Sequence, residues 1–268
     1  MFLQIIGSIF GPYWDQLLQH HYELTQKLEE GANVDVIYAD MAKAYQKVDH
    51  SILLFKIRSL GFRGRLLRWI SNFLKNRTQH VLIDGELSEG ADVLSSVPEG
   101  SVLGPLFFLI HMSDIGAGIH SSIKIFVDDS KICRAIKDEE DVEQLQRDLD
   151  TLFSWARANK MQFNGKKFQV LGYGKNTELK DSTTYFTENT SEIVEREESL
   201  RDLGVLMSED ALFKLQIDKV VARANQKASW VLRTFQTRSI FLMRSVFKTL
   251  VLPHLDYRRS LLAQGLCC

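Results

Sequence analysis

The sequence predicts an α+β fold, an antiparallel sheet packed on helices. Short runs rich in β-formers, Val34-Asp35-Val36-Ile37-Tyr38, His80-Val81-Leu82-Ile83 and Ile123 to Val127, read as strands. Asp84-Gly85 and Asp128-Asp129-Ser130 follow such runs as turn signals, so the strands they join are hairpin partners. Longer segments with apolar residues at helical spacing supply the second layer.

Taken in order, Asp15 to Gly31 has helical spacing, with Gly31 as its stop. The strand from Val34 ends at Asp40. His50 to Leu60 reads as a helix stopped by Gly61, and Leu66, Leu67, Ile70, Phe73 and Leu74 make a second helical face. After the strand at His80 to Ile83, Pro98 to Gly104 is a loop and Pro105 suits the first turn of the next helix. That helix, Leu106 to Met112, is apolar on nearly every side and is expected to be buried. Ile123 to Val127 and Lys131 to Ile136 flank the Asp-Asp tip, and Asp138 caps a helix with Val142, Leu145, Leu149, Leu152, Phe153 and Ala156 on one face. A polar stretch from Lys175 to Ser199 is the one composition break. Leu203 to Met207 then reads as a strand, and helices follow over about 212–235 and 239–252, where Pro253 intervenes.

At 268 residues, 45% hydrophobic and 25% charged, the composition is that of an ordinary globular protein with a sizeable core. A net charge of −1 excludes a global basic field. Positive charge is instead concentrated in two stretches. One holds Lys56, Arg58, Arg63, Arg65, Arg68, Lys75 and Arg77; the other holds Lys214, Lys219, Arg223, Lys227, Arg233, Arg238, Arg244 and Lys248. Such runs serve as solvated helix faces or as phosphate contacts. Cys133, Cys267 and Cys268 form neither a disulfide framework nor a zinc pattern, which points to a reducing compartment. The apolar start Met1 to Gly7 lacks the basic region of a signal peptide, and no run approaches the roughly 18 apolar residues of a membrane span. A soluble protein, nuclear or cytoplasmic and not secreted, is expected, with no membrane partner. Nothing specifies an oligomeric state.

The chemistry-bearing feature is a lone Asp40 at a strand end and the Asp128-Asp129 pair at a hairpin tip. Adjacent carboxylates repel each other, and hard oxygen ligands suit Mg²⁺. Two such ions about 3.5–4 Å apart activate an attacking hydroxyl and stabilise a leaving pyrophosphate. By itself, Asp-Asp reads first as a polar hairpin turn, since Asp is a common turn former.

The surrounding text supplies a resemblance. Tyr38-Ala39-Asp40-Met41-Ala42-Lys43-Ala44-Tyr45-Gln46-Lys47-Val48-Asp49-His50 resembles motif A of the reverse transcriptases of LINE-type (non-LTR) retrotransposons. Val97-Pro98-Glu99-Gly100-Ser101-Val102-Leu103-Gly104-Pro105-Leu106 resembles motif B, and Phe126-Val127-Asp128-Asp129 motif C. Met161 to Lys167 looks like motif D, and Leu200-Arg201-Asp202-Leu203-Gly204-Val205 like the stretch before the thumb. Order and spacing agree from roughly Asp15 to Tyr257, most closely with the jockey and chicken-repeat clades.

The resemblance implies a right-hand polymerase: partial fingers at 1–33, a palm at 34–207 with inserted fingers helices at about 51–92, and a helical thumb at 208–268. It implies an RNA template, a DNA primer and deoxynucleoside triphosphates as partners. Asp40, Asp128 and Asp129 would hold two Mg²⁺ ions, with Mn²⁺ as a substitute. Lys167, with Lys166 as rival, would give a proton to the departing pyrophosphate. Tyr45 would exclude the ribonucleotide 2′-OH, or else pack as a core aromatic. Glu99 and Gly100 would border the nucleotide, and Arg63, Arg65, Arg68, Lys75, Arg77, Lys219, Arg223 and Lys227 would meet nucleic-acid phosphates. A group II intron maturase or a telomerase is a weaker match, because Val48-Asp49-His50 is LINE-like.

Some positions depart from the pattern. Glu99 stands where Gln is usual, Gln46 where Asp is usual, Phe168 for a common Cys, and Val127 for a frequent Ala. Phe10-Gly11-Pro12-Tyr13-Trp14 does not match the Gly-Phe-Arg patch, and the tail from Tyr257 drifts. The expectation is a truncated copy that polymerises poorly, with Glu99 repelling the triphosphate. The competing expectation is an inactive fragment that binds RNA or RNA–DNA hybrid.

Overall fold

The computed structural model describes residues 13–174, 182–187, 192–237 and 239–256. The segment Phe10-Gly11-Pro12, Arg238, the tail from Tyr257 and Cys267 and Cys268 lie outside the described residues, as does the side chain of Lys166.

Helix α1 (Tyr13–Glu29) ends before Gly31, whose φ of +80° is the left-handed stop that glycine supplies most cheaply. Strand β1 (Asn33–Asp40) leads through a 3₁₀ turn at Tyr45–Lys47 into α2 (His50–Ser59) and α3 (Gly64–Leu74). Asp49 caps α2 by accepting from the amides of Ser51 (2.9 Å) and Ile52 (3.0 Å). Four two-residue strands follow: β2 (Thr78–Gln79), β3 (Leu82–Ile83), β4 (Glu86–Leu87) and β5 (Ala91–Asp92). Asp84 and Gly85, both at positive φ, turn β3 into β4 as anticipated. Helix α4 (Leu103–Met112) is buried on most sides; β6 (Ser122–Phe126) and β7 (Asp129–Ile136) form the Asp-Asp hairpin. Asp138 caps α5 (Glu139–Ala158).

The strand expected over His80–Ile83 shrinks to β3, and strands β2, β5, β8 (Gln169–Tyr173), β9 (Glu195–Arg196) and β10 (Ser199–Asp202) are not anticipated. Strand β11 (Val205–Ser208) and helices α6 (Lys214–Thr234) and α7 (Ile240–Leu250) are. Pro253 does not end the last helical run; it sits in the first turn of a short α8 (Leu252–Asp256), where its missing N–H is harmless.

The main sheet runs β6-β7-β1-β8-β9, antiparallel except for β8–β9. Strand β1 is covered on both faces. Ile37 and Ala39 join a core with Leu53, Ile57, Phe107, Phe108, Leu145, Leu149 and Leu152, from α2, α4 and α5. Val34 and Val36 face the other way, onto Leu17 and Leu24 of α1 and Leu200, Val205 and Met207 of the β10–β11 hairpin. A third cluster, Ala224, Val231, Val246 and Val251, joins α6 and α7 to the chain at α8. No helix among the described residues is long and apolar enough to cross a membrane.

The polar stretch contributes to the core after all. Tyr185 and Val194 are buried in the first cluster. Tyr185 Oη (2.8 Å), Thr183 Oγ1 (3.0 Å) and the Arg196 guanidinium (3.1 Å to each oxygen) all donate to the buried Asp35 carboxylate. An inward carboxylate on a central strand is tolerable only with such partners.

Candidate active site

Two adjacent strands bring the acids together. The antiparallel register of β1 and β7 sets Asp40, the last residue of one, opposite Asp129, the first of the other. Asp128 occupies the two-residue turn of the β6–β7 hairpin, and its carbonyl accepts from the Met41 amide at 3.1 Å. Val127, before it, has φ +56°, an uncommon conformation for a β-branched residue, so the exchange of Ala for Val is not neutral. The motif D segment lies along the same strand end. The amide of Asn164 donates to the Asp40 carbonyl (2.8 Å) and that of Ala42 to the Gln162 carbonyl (2.8 Å). A 3₁₀ turn at Gly165–Lys167 then delivers Lys167 Nζ to Asp40 Oδ2 at 2.8 Å.

Asp40, Asp129 and Lys167 border a cavity of about 210 Å³ whose far wall is the tip of the β10–β11 hairpin. Asp129 lies at the exposed mouth, yet its carboxyl is pushed up to about 6, first by its crowded, partly desolvated setting and then by Asp128, Asp40 and Asp202. Lys167 is raised, first by its hydrogen bond to Asp40. Cations share the cavity wall with the carboxylates: Lys124, Lys131, Lys167 and Arg201 all line it, and Lys167 and Lys131 are paired with Asp40 and Asp202.

The three carboxylates nevertheless stop short of one coordination shell. Among the described residues no group of three or more His, Cys, Asp or Glu side chains is placed to hold a metal ion. Like charges spread apart, and Lys167 holds one Asp40 oxygen. The donor chemistry suits a hard divalent cation; the geometry asks Asp40 to exchange Lys167 for it.

Tyr45 packs against the core and feels the acids beside it. Its ring stacks on Phe108 (centroids 4.6 Å apart, 16° between planes), while burial, then Asp128 and Glu99, raise its pKa. Glu99 is exposed and accepts from Gln46 Nε2 at 3.3 Å. Gly100 has φ +75° with open space around it, so its glycine answers to backbone conformation.

The basic residues divide. Arg63, Arg65, Arg68 and Lys75 are exposed on and beside α3, away from the carboxylate cavity. Arg77 is different: its guanidinium donates to the carbonyls of Leu74 and Ser96, both at 2.9 Å, and so braces a loop. Lys56 is likewise internal, paired with Asp114 at 2.6 Å. Lys219 and Arg223 share a groove of about 360 Å³ with Arg201 and His254, and Lys227 lies over the Trp230 ring. The sequence reading does not mark Lys124, Lys131, Asp202 or Leu203 as site residues, yet all four line the carboxylate cavity. The signal was present for Lys131, a charge two residues after Asp129 on an apolar strand and therefore on the same face.

Comparison with known proteins agrees with this geometry. A family model described as reverse transcriptase (RNA-dependent DNA polymerase) matches residues 10–205. The RNA-directed DNA polymerase from mobile element jockey of Drosophila melanogaster is 23% identical, over 82% of this chain and 25% of its own length. Its Drosophila funebris counterpart is 25% identical, over 87% and 26%. The probable RNA-directed DNA polymerase from transposon X-element of Drosophila melanogaster is 23% identical, over 87% and 26%. The chain thus spans about a quarter of the length of these relatives. In fold it is similar to telomerase of Candida tropicalis, both in complex with a telomeric RNA fragment (TM-score 0.52, 11% identity, 96% of this chain and 43% of that one) and apo (0.51, 11%, 94% and 46%). The identity with telomerase is too low to say more than fold, whereas the sequence relatives are mobile-element polymerases. The match over residues 10–205 places the chain in the reverse transcriptase (RNA-dependent DNA polymerase) family.

Proposed function

We propose that this chain is the polymerase part of a non-LTR retrotransposon reverse transcriptase, adding deoxynucleotides to the 3′-OH of a DNA primer on an RNA template. The observation that carries the reading is the β1–β7 register, which sets Asp40 against Asp129 with Asp128 one residue away. In this reading residues 34–207 are the palm, about 51–92 its inserted fingers elements and 208–268 the thumb, with 1–33 belonging to the fingers. Divalent ions, Mg²⁺ or Mn²⁺, bound by Asp40, Asp128 and Asp129 would supply Lewis acidity to the reacting oxygens. The primer 3′-OH gives up its proton to solvent water as its oxygen bonds to the α-phosphorus and the bond to pyrophosphate breaks. Lys167 leaves Asp40 and gives its Nζ proton to the pyrophosphate oxygen. Tyr45, backed by Phe108, lies under the sugar and disfavours a 2′-OH; Glu99 and Gly100 border the nucleotide. Arg63, Arg65, Arg68, Lys75, Lys219, Arg223 and Lys227 meet template or primer phosphates; Arg77 is left to its loop.

The experiment is Mg²⁺-dependent primer extension. Asp128→Asn is expected to slow it about a thousandfold, the equivalent of about 4 kcal/mol of charge stabilisation. A second reading, an inactive chain that binds RNA–DNA hybrid, is favoured by the unclosed carboxylate shell. Hybrid binding without extension by the unmodified chain, and without loss in Asp128→Asn, would establish it instead.

A further inference from the structure

The far wall of the carboxylate cavity is held by a buried ion pair. Lys131 of β7 and Asp202 of β10 are joined Nζ to Oδ2, with side chains only 8% and 5% exposed. Lys131 also lies over the Tyr38 ring, 5.9 Å from its centroid. Around the pair are the apolar groups of the second core, Leu200, Val205 and Cys133 among them. Burying two charges there costs desolvation, and a pair of apolar side chains would hold the elements together at least as well. What an ion pair adds is direction: one oxygen, one nitrogen, one register between two elements.

That register matters because of what stands at each end. Asp202 is the last residue of β10, and the next, Leu203 (φ +45°) and Gly204 (φ +78°), form the hairpin tip. Leu203 lines the cavity across from Asp40, Asp129 and Lys167. Lys131 is two residues from Asp129 on the same face of β7. Behind the hairpin, the buried amide of Leu206 donates to Gln216 Oε1 of α6 at 3.0 Å. A continuous path therefore runs from α6 through β11 and β10, across the ion pair, to the strand that begins with Asp129.

We propose that Lys131 and Asp202 are positioning residues: their ion pair latches the β10–β11 tip at a fixed distance from the carboxylates and so seats the 3′ end of a bound primer. The proposal rests on the polymerase reading. A latch of this kind predicts that the hairpin opens locally when the pair is removed, even where overall stability is kept.

Four variants of the full chain test it: Lys131→Met, Asp202→Asn, the doubly apolar Lys131→Met/Asp202→Leu, and Lys131→Arg. The double variant leaves no buried charge unpaired, so it guards against simple unfolding, which thermal melting reports. Amide hydrogen exchange at Arg201 to Leu206 is expected to quicken about tenfold or more in the double variant and to stay near the original rate in Lys131→Arg. In primer extension the KM for primer-template is expected to rise about tenfold, with the KM for the nucleotide unchanged, and arginine to rescue it. Unchanged exchange and unchanged primer KM in the double variant would overturn the latch and leave the pair as packing. A chain that does not extend primers would sink the polymerase reading alone, since exchange at the hairpin still decides whether the latch exists.

Discussion

At position 99 the chain has a carboxylate where the motif has an amide, and at position 46 an amide where it has a carboxylate. The structure brings the two together, Gln46 Nε2 donating to Glu99 Oε1 at 3.3 Å. One acid and one amide are thus exchanged across a single hydrogen bond. This weakens the expectation that Glu99 strongly repels a triphosphate. The side chain is exposed, and in water a like charge at 4 Å costs about 1 kcal/mol, or roughly a fivefold effect. Glu99→Gln is therefore expected to improve nucleotide affinity by no more than about fivefold, read by titration with a deoxynucleoside triphosphate. A gain of hundreds would restore the repulsive view. Lys56 and Arg77 make the same point from the basic side: both belong to a run that reads as solvated, yet both are tied to named oxygens of the fold.

Among the elements, the turn from Pro98 to Gly104 shows two glycines needed for different reasons. Gly100 has positive φ and empty space about its missing Cβ, so alanine there carries only the left-handed penalty. Gly104 has ordinary φ, but a Cβ would lie 2.5 Å from the Pro98 carbonyl oxygen. That carbonyl already accepts from Ser101 Oγ at 2.7 Å, and Ser101 Oγ accepts from the Gly104 amide at 3.0 Å, so the turn has little room to yield. In chemical denaturation Gly100→Ala should cost about 1 kcal/mol and Gly104→Ala about 2 or more, despite alanine's better helix propensity. Equal losses would mean that the turn relaxes around the added methyl.

For the whole molecule, acid sensitivity arises in part from a group that the proposed chemistry does not use. His111, on α4, is fully buried with neither ring nitrogen hydrogen-bonded. Burial first, then Lys56, push it down to about 4. The unfolded chain takes up this proton near pH 6.5 while the folded one resists until about pH 4. Stability therefore falls as the pH is lowered through that window, by about 3 kcal/mol at its foot, and is unaffected above pH 6.5. His111→Phe keeps the bulk and removes the proton site. It is expected to make the fall in unfolding free energy between pH 6.5 and 4 shallower, with little change at pH 7.5; His20 and His21, lowered by burial as well, keep the remainder of the slope. An acid slope as steep as that of the unmodified chain would assign the effect to other groups.

What the sequence by itself determined is local or motif-borne. Helical spacing located α1 to α3 and α5 to α7 to within a few residues, because the apolar stripe and its stops are written in neighbouring positions, and Pro105 with the apolar run after it located α4. The caps Asp49 and Asp138 and the Asp84-Gly85 turn are local chemistry of the same kind; Asp49 acts through amides two and three residues on. The order of Asp40, Glu99-Gly100, Asp128-Asp129 and Lys167 carried the family resemblance. Tertiary structure alone decided the rest. The β1–β7 register, the Lys167–Asp40 pair, the Lys131–Asp202 pair and the ring of donors around Asp35 join residues far apart in the chain. Strand β8 went unread although it pairs with β1 at the sheet centre. A buried central strand shows as a short apolar run, and five residues of that kind carry no periodicity to separate strand from helix. The polar stretch misled for the complementary reason. Its few apolar and donor groups, Tyr185, Val194 and Arg196, gain their value only from the Asp35 carboxylate and the core that the remainder of the chain brings to them.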